Sequence, residues 1–209
     1  MKDERDVQLM LGILDAVERN SLATQRSIAR ELGVALGLVN AYLRRCIKKG
    51  FVKASSIPFN RYTYYVTPAG FTEKGRLTAE FLAYSFRFFR DAREQSAGLL
   101  LGCREAGWRR IVLLGCGDLA EIALIGAAEA GVEIVAVVDA SAVGQTCGGR
   151  PVVAEAPAFD ALMVTDTNRP IDAVRTGWEL VYNAGLSERR LLVPQLLGVS
   201  PSVAARSNA

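Results

Sequence analysis

Histidine is absent from this 209-residue sequence. Its absence excludes Ser-His-Asp and Cys-His nucleophilic sites and histidine-ligated metal sites, and it leaves acid–base chemistry to carboxylates, Lys, Tyr or Cys. The four cysteines, Cys46, Cys103, Cys116 and Cys147, form no CxxC pair, which argues against structural zinc and predicts reduced thiols. We therefore expect no catalytic residue, no metal ligand and no enzymatic activity.

Long apolar runs are also absent. No stretch approaches the roughly 20 uninterrupted apolar residues that cross a bilayer, and the first six residues, MKDERD, are too charged for a signal peptide. Half of the residues are apolar, enough for a buried core. The sequence predicts a soluble, cytoplasmic protein with no membrane partner.

Acidic residues are outnumbered by basic residues in the first part of the chain. Residues 1–97 have a net charge of +6, while residues 98–209 have a net charge of −3. Such asymmetry is typical of a polyanionic partner such as double-stranded DNA, although scattered solvated Lys and Arg produce a similar total. The charge alone leaves both interpretations open.

Residues 1–76 have the pattern of a winged helix-turn-helix domain, an α+β fold. Apolar residues recur at helical spacing from Val7 to Val17, and two shorter helices are predicted at 23–32 and 35–49. The side chains of the second of these that are predicted to face inward are Val39, Leu43 and Ile47. After Gly50 the period becomes that of strands, with 51–54 and 61–66 predicted as a hairpin, the wing.

The wing and the second short helix supply the predicted DNA contacts. Pro58 and Asn60 suit the tip of the hairpin, and Lys53 beside it is placed to contact phosphates. Asn40 suits either adenine or a phosphate, and the basic end of the helix also has the pattern of a solvated helix terminus. The residues predicted to bind DNA are Gln25, Arg26, Gly37, Asn40, Arg44, Arg45, Lys48, Lys53 and Arg61.

Several stretches resemble the MarR-type winged-helix regulators associated with exopolysaccharide gene clusters. They are QR at 25–26, ARELGV at 29–34, Gly37, Asn40, Leu43, KGFVK at 49–53, YVTPAG at 65–70, EK at 73–74, LT at 77–78 and FL at 81–82. The resemblance covers about residues 7–95 and implies DNA binding by residues 35–49, as a dimer. The sequence departs from the family at Ala35 and Leu38, where a polar cap and a basic residue are expected.

Residues 77–106 are predicted to form a connecting and dimerisation helix that begins near Thr78. It is crowded with apolar side chains, namely Phe81, Leu82, Tyr84, Phe86, Phe88 and Phe89. Packing against the winged helix uses one face, so the remainder predicts burial against a second subunit or the next domain, while an entirely intramolecular core is the alternative.

Residues 107–200 have the pattern of a small α/β Rossmann-like domain with a parallel sheet. Strands are predicted at 111–114, 133–138, 162–165 and 191–193, with a helix over 118–130. The Gly-rich turn GCGDLA joins the first strand to that helix, and Asp139 ends the second strand. This arrangement is typical of nucleotide binding, because the turn admits a phosphate and the acidic residue accepts ribose hydroxyls.

The residues predicted to bind this ligand are Gly115, Cys116, Gly117, Asp118, Leu119, Ala120 and Asp139. Asp118 places negative charge where a pyrophosphate is expected, and four strands amount to one half of a dinucleotide fold. A cysteine at a helix N-terminus has a lowered pKa, so Cys116 is either a redox-sensitive thiol or a small packing residue.

Residues 111–153 resemble the Rossmann-like module of nucleotide-sugar acyltransferases. The resemblance rests on GCGDLA at 115–120, VVD at 137–139 and GRPVV at 149–153, and it implies a UDP-sugar ligand held by the turn and Asp139. The hexapeptide repeats and histidine base of those enzymes are missing, so acyl transfer is not implied. The domain order is also similar to that of the redox-sensing Rex repressors, which makes NAD(H) the alternative cofactor.

The sequence as a whole predicts a dimeric transcription regulator that responds to a nucleotide-like ligand and controls polysaccharide genes. Two alternatives stay open: an enzyme acting on a nucleotide-linked substrate, and a DNA-binding dimer whose second domain binds nothing. Residues 201–209 are predicted to be a flexible tail.

Overall fold

The computed structural model describes residues 4–57 and 61–199. The chain divides into two compact units, Met1–Phe86 and Arg87–Ala209. One long helix, α4, contributes residues to both units.

The first unit contains three short helices, a hairpin and the start of α4. The elements are α1 (Glu4–Arg19), α2 (Gln25–Glu31), α3 (Leu36–Lys48), β1 (Val52–Ile57), β2 (Arg61–Val66) and α4 (Pro68–Glu105). A capping box opens α2, because Thr24 Oγ1 accepts from the Ser27 N–H at 3.1 Å while Ser27 Oγ accepts from the Thr24 N–H at 2.9 Å. The predicted winged helix-turn-helix order is confirmed.

The core of this unit lies between α1, α2 and α3. Its largest fully buried side chains are Met10, Ile13, Leu14, Ile28, Leu43 and Leu77. Ile47, predicted to face inward, is 38% exposed, while Cys46 is fully buried. The prediction for Ile47 is wrong because the inward stripe of α3 runs through Val39, Leu43 and Cys46, at spacings of four and three.

The wing is an antiparallel hairpin whose register runs from Val52 opposite Val66 to Ile57 opposite Arg61. The first strand ends three residues later than predicted, because Ser55 and Ser56 continue the pairing with β2. The predicted tip residues, Pro58 and Asn60, lie outside the described residues.

Helix α4 begins ten residues before the predicted start at Thr78. Pro68 occupies its first position, where a missing N–H is harmless, and Thr67 Oγ1 accepts from the Gly70 N–H at 3.1 Å. A Cβ on Gly70 would lie 2.1 Å from the carbonyl oxygen of Phe51, so glycine lets α4 start against the hairpin. Lys74 then forms ion pairs with two carboxylates of α1.

The second unit contains a six-stranded sheet between helices. Its elements are β3 (Arg110–Leu114), α5 (Asp118–Ala130), β4 (Glu133–Val138), β5 (Thr146–Cys147), β6 (Arg150–Val153), β7 (Ala161–Val164), α6 (Pro170–Asn183) and β8 (Leu191–Leu192). The strand order is β5-β6-β4-β3-β7-β8, and only the β5–β6 pair is antiparallel.

Alternating residues of β3 face opposite sides of the sheet. Ile111 and Leu113 belong to the core that includes α5, while Val112 and Leu114 belong to the core that includes α6. The predicted Rossmann-like fold class and its four strands are confirmed. The short strands β5 and β6 add to the predicted four, and α6 was not predicted individually.

Candidate functional site

Helix α3 of the first unit presents a small and basic outer face. Val39, Leu43 and Cys46 are buried on its inner side. The residues that recur along the opposite side, all exposed, are Gly37, Ala41, Arg44 and Lys48. In helix-turn-helix proteins this second helix enters the major groove.

Four of the predicted DNA-binding side chains are exposed and carry charge: Arg26, Arg44, Lys48 and Lys53. Lys53 lies on the first strand of the wing, and Arg44 and Lys48 lie one turn apart on α3. Exposed cations of this kind suit contacts with a phosphate backbone. Gly37 is exposed beside them, and the side chain of Arg61 lies outside the described residues.

Three other predicted DNA contacts have partners within the unit or are partly covered by it. Gln25 Nε2 donates to Tyr64 Oη at 3.1 Å, and Arg45 Nη1 donates to Asp6 Oδ2 at 3.2 Å. The Arg45 guanidinium also lies 5.7 Å from the centre of the Tyr42 ring. Asn40 is half-buried. The DNA contacts of Gln25, Arg45 and Asn40 stay predictions.

A pocket of about 180 Å³ lies in the second unit at the carboxyl ends of β3, β4 and β7. The connection from β3 leads to β4 on one side, and the connection from β7 leads to β8 on the other, so the pocket occupies the topological switch point of the sheet. Its polar lining comprises Asp139, Ser141, Asp166, Arg169, Asp172 and Thr176.

Gly115 allows the ends of β3 and β7 to approach at the pocket. Its φ is +107°, and a Cβ there would lie 2.5 Å from the Asp166 nitrogen. The turn is held by Thr165, whose hydroxyl donates to the Gly115 carbonyl oxygen at 2.6 Å. A side chain at this position would both strain the backbone and separate the two strand ends.

Asp139, which follows the neighbouring strand β4, stabilises the Gly-rich turn after β3 through hydrogen bonds. Its Oδ2 accepts from the Cys116 N–H at 3.0 Å, and its Oδ1 accepts from the Ser141 N–H at 2.9 Å and hydroxyl at 2.7 Å. Partial burial raises the pKa of this carboxyl, but the hydrogen bonds from Cys116 and Ser141 outweigh it, and the net shift is downward. Asp139 is therefore an ionised acceptor at the pocket wall.

The predicted ligand residues divide into two groups. Gly115 and Asp139 line the pocket, while the five residues Cys116, Gly117, Asp118, Leu119 and Ala120 lie outside its lining. Leu119 and Ala120 are fully buried and pack in the core around α5.

The expectation of a lowered pKa for Cys116 is wrong. Burial, the neighbouring Cys147 thiol and the Asp139 carboxylate raise the pKa of Cys116 to about 11. The helix N-terminus does not offset these effects, since the first turn of α5 itself carries Asp118 and Glu121. Cys116 is a protonated thiol at neutral pH.

Sequence reasoning missed the residues that follow β7. Asp166 Oδ1 accepts from the backbone N–H groups of Asn168 and Arg169 at 2.8 and 2.9 Å. This arrangement forms the loop that brings Arg169 and the first turn of α6, with Asp172, to the pocket. Asp166 comes shortly after a buried strand, as Asp139 does. An acidic residue in that position was the sequence signal that could have predicted it as a pocket residue.

Metal clusters and membrane-spanning helices are both absent from the described ranges, 4–57 and 61–199. These ranges contain no group of three His, Cys, Asp or Glu side chains arranged to hold a metal ion. No helix within them is both long and apolar enough to cross a membrane.

Comparison with known proteins identifies the first unit. The family described as "Winged helix-turn-helix DNA-binding" matches residues 8–53, and no curated protein matches the chain. The solved structure "PigF with SAH" is similar at 16% identity with a TM-score of 0.30, covering 85% of this chain and 70% of that one, which is too distant to inform function. The chain carries an N-terminal winged helix-turn-helix DNA-binding domain.

Proposed function

We propose that this chain is a homodimeric transcription regulator whose DNA affinity changes when a nucleotide-like ligand, foremost a UDP-sugar, binds the pocket of the second unit. The observation that carries the proposal is the position of that pocket. Open α/β sheets bind ligands at their switch point, and here polar side chains from the loops after β4 and β7 and from α6 converge on it. The resemblance to exopolysaccharide-associated regulators supports polysaccharide genes as the targets.

The chemistry of the pocket supports sugar hydroxyls at its inner wall. Asp139, Asp166 and Asp172 are hydrogen-bond acceptors there, and carboxylates accept from hydroxyls while repelling phosphate. Asp118 likewise opposes a phosphate at the N-terminus of α5. Arg169 is the cation of the lining and its side chain is 63% exposed, which suits a phosphate at the rim.

The size of the pocket also supports a ligand whose sugar lies inside and whose phosphate lies at the rim. Its 180 Å³ falls below the roughly 300–1,000 Å³ of sites that enclose a whole drug-sized ligand. One sugar or ribose ring would occupy the pocket, and the remainder of the nucleotide would lie along the surface beside Arg169.

Exposed apolar residues on the first part of α4 support dimerisation. Phe71, Leu82 and Phe86 are 49%, 46% and 61% exposed, and their spacings of eleven and four place them on one face of the helix. A second copy covering this face would pair two recognition helices, which must lie about 34 Å apart to contact successive major grooves.

A thermal-shift panel tests ligand binding directly. Full-length protein is heated with UDP-glucose, UDP-galactose, NADH, NADPH, CoA or ATP, and a ligand at 100 times its Kd stabilises the folded state by about 2.7 kcal/mol. We expect a UDP-sugar to raise Tm, Arg169→Ala to lose the shift, and Arg189→Ala, an exposed arginine outside the lining, to keep it. A shift with NADH alone would indicate a redox repressor, and no shift with any compound would refute ligand sensing.

We further propose that the ligand is bound without being transformed, since the sequence offers no histidine base. Incubation of the protein with UDP-glucose, followed by chromatography for free UDP, measures turnover. Catalytic release of UDP above the rate in buffer would make the chain an enzyme.

A further inference from the structure

The first turn of the recognition helix α3 is apolar and exposed. Leu36 and Leu38 are 44% and 42% exposed, and Gly37 between them is exposed as well. Ala35, at the N-cap position, makes no side-chain hydrogen bond to the helix. In helix-turn-helix proteins the N-terminal residues of this helix contact base edges, so the base-contacting part of α3 offers little but hydrocarbon.

The fold does not account for these two leucines. The buried core of the first unit takes Val39, Leu43 and Cys46 from α3, and neither Leu36 nor Leu38 belongs to it. About two to three turns further along the same helix, Arg44 and Lys48 are exposed. Leu36 and Leu38, two residues apart, lie on either side of the outer face that contains Gly37 and Arg44. The helix thus offers hydrocarbon in its first turn and cations beyond it, which complements a partner that is anionic outside and apolar at a recessed point.

In the major groove of DNA, the methyl group of thymine is such a recessed apolar point. Among the base edges in the major groove, thymine presents an apolar C5-methyl beside its O4 acceptor, while guanine, cytosine and adenine present donors and acceptors without a methyl group. A leucine pressed against those polar groups would remove water from them without replacing its hydrogen bonds. Leucine therefore favours thymine at the position it covers and disfavours guanine or cytosine.

We infer that Leu36 and Leu38 recognise thymine methyl groups, so that each half-site of the operator carries thymine beneath the first turn of α3. Gly37 and Ala41, exposed at a spacing of four, leave room for the helix axis to approach the bases. Asn40, one turn after Leu36, is suited to adenine, the partner of thymine. The inference rests on DNA binding by the winged helix and adds its base preference.

Exchange of thymine for uracil tests the inference, because uracil keeps the hydrogen-bonding groups and lacks only the methyl. The full chain selects duplexes from a randomised pool, and the bound pool is amplified with either dTTP or dUTP. Fluorescence anisotropy at one salt concentration then gives both Kd values. We expect an A·T-enriched pool and about a fourfold loss of affinity for each contacted methyl that is removed.

Variants separate methyl recognition from other effects of uracil on DNA shape. In the Leu36→Ala, Leu38→Ala double variant the ratio of the two Kd values should fall toward one. Ile47→Ala is the matched control, because Ile47 is 38% exposed on the same helix but lies at its C-terminal end. Its ratio should equal that of the unmodified protein.

The outcomes are distinguishable. Tight binding to the selected pool with equal Kd values for thymine and uracil duplexes would overturn the inference while leaving DNA binding intact, as would a G·C-rich pool. Failure to bind any duplex would overturn both this inference and the proposed regulator.

Discussion

Replacement of Gly115 by alanine is expected to destabilise the second unit by about 3 kcal/mol. A left-handed φ of +107° strains a residue with a Cβ by about 1–3 kcal/mol. The added Cβ would also lie 2.5 Å from the Asp166 nitrogen and 2.6 Å from its Cβ, and such overpacking costs about 1–3 kcal/mol. Reduced freedom of the unfolded chain offsets about 0.4–1 kcal/mol of this.

Tryptophan fluorescence isolates the effect, because both tryptophans, Trp108 and Trp178, lie in the second unit. For an m-value of about 2 kcal/mol/M, the urea midpoint should fall by about 1.5 M. Gly117→Ala is the matched control: its φ of 163° is extended, no atom beyond its chain neighbours lies within 4 Å of the new Cβ, and it should cost under about 1 kcal/mol. Equal midpoints for the two variants would refute this account of the turn.

Three further predictions concern charge and protonation. Arg44→Ala should reduce the slope of log K against log salt by about 0.9, because one phosphate is no longer neutralised; an unchanged slope in anisotropy titrations would remove Arg44 from the interface. Asp139→Ala should abolish UDP-sugar binding and spare DNA binding. Because the pKa of Asp139 is lowered, the stability that its ionised form contributes is present above about pH 4 and is lost as the pH falls through the folded-state pKa. The Tm gap between wild type and variant should therefore narrow on acidification, and a gap that does not narrow below about pH 4 would contradict this. Cys116, with a pKa of about 11, should react with iodoacetamide tenfold faster for each pH unit from about 7 to 9.5, and a plateau near pH 9 by mass spectrometry would disprove the shift.

Local pattern sufficed for most elements of the fold. The continuous apolar run from Ile111 to Leu114 and the helical spacing of Val39 and Leu43 correspond to the buried faces of their elements. The start of α4 escaped prediction because Pro68 and Gly70 resemble a loop in sequence. Gly70 is in the helix because the Phe51 carbonyl approaches it, a tertiary contact that no local pattern contains.

The residues of the candidate sites also divide into those that local sequence predicts and those that only tertiary contacts bring together. Gly115 and Asp139 follow successive strands of one βαβ unit, so their proximity was predictable. Asp166 joins them only because β7 pairs with β3, and the Thr165 hydroxyl reaches Gly115 across 50 residues of chain. Likewise, Arg45 pairs with Asp6, which lies 39 residues away in the chain. The sequence could not predict this pairing, because the position of Arg45 on its helix indicates only a DNA contact.

The central claim is that ligand binding in the second unit alters DNA binding by the first. The most direct measurement is the Kd of the full chain for its selected duplex, by fluorescence anisotropy, with and without saturating UDP-sugar. We predict a change of at least about fivefold, the lower end of typical allosteric coupling, and no change in the Arg169→Ala variant. A UDP-sugar that raises Tm yet leaves the Kd for DNA unchanged would contradict the account.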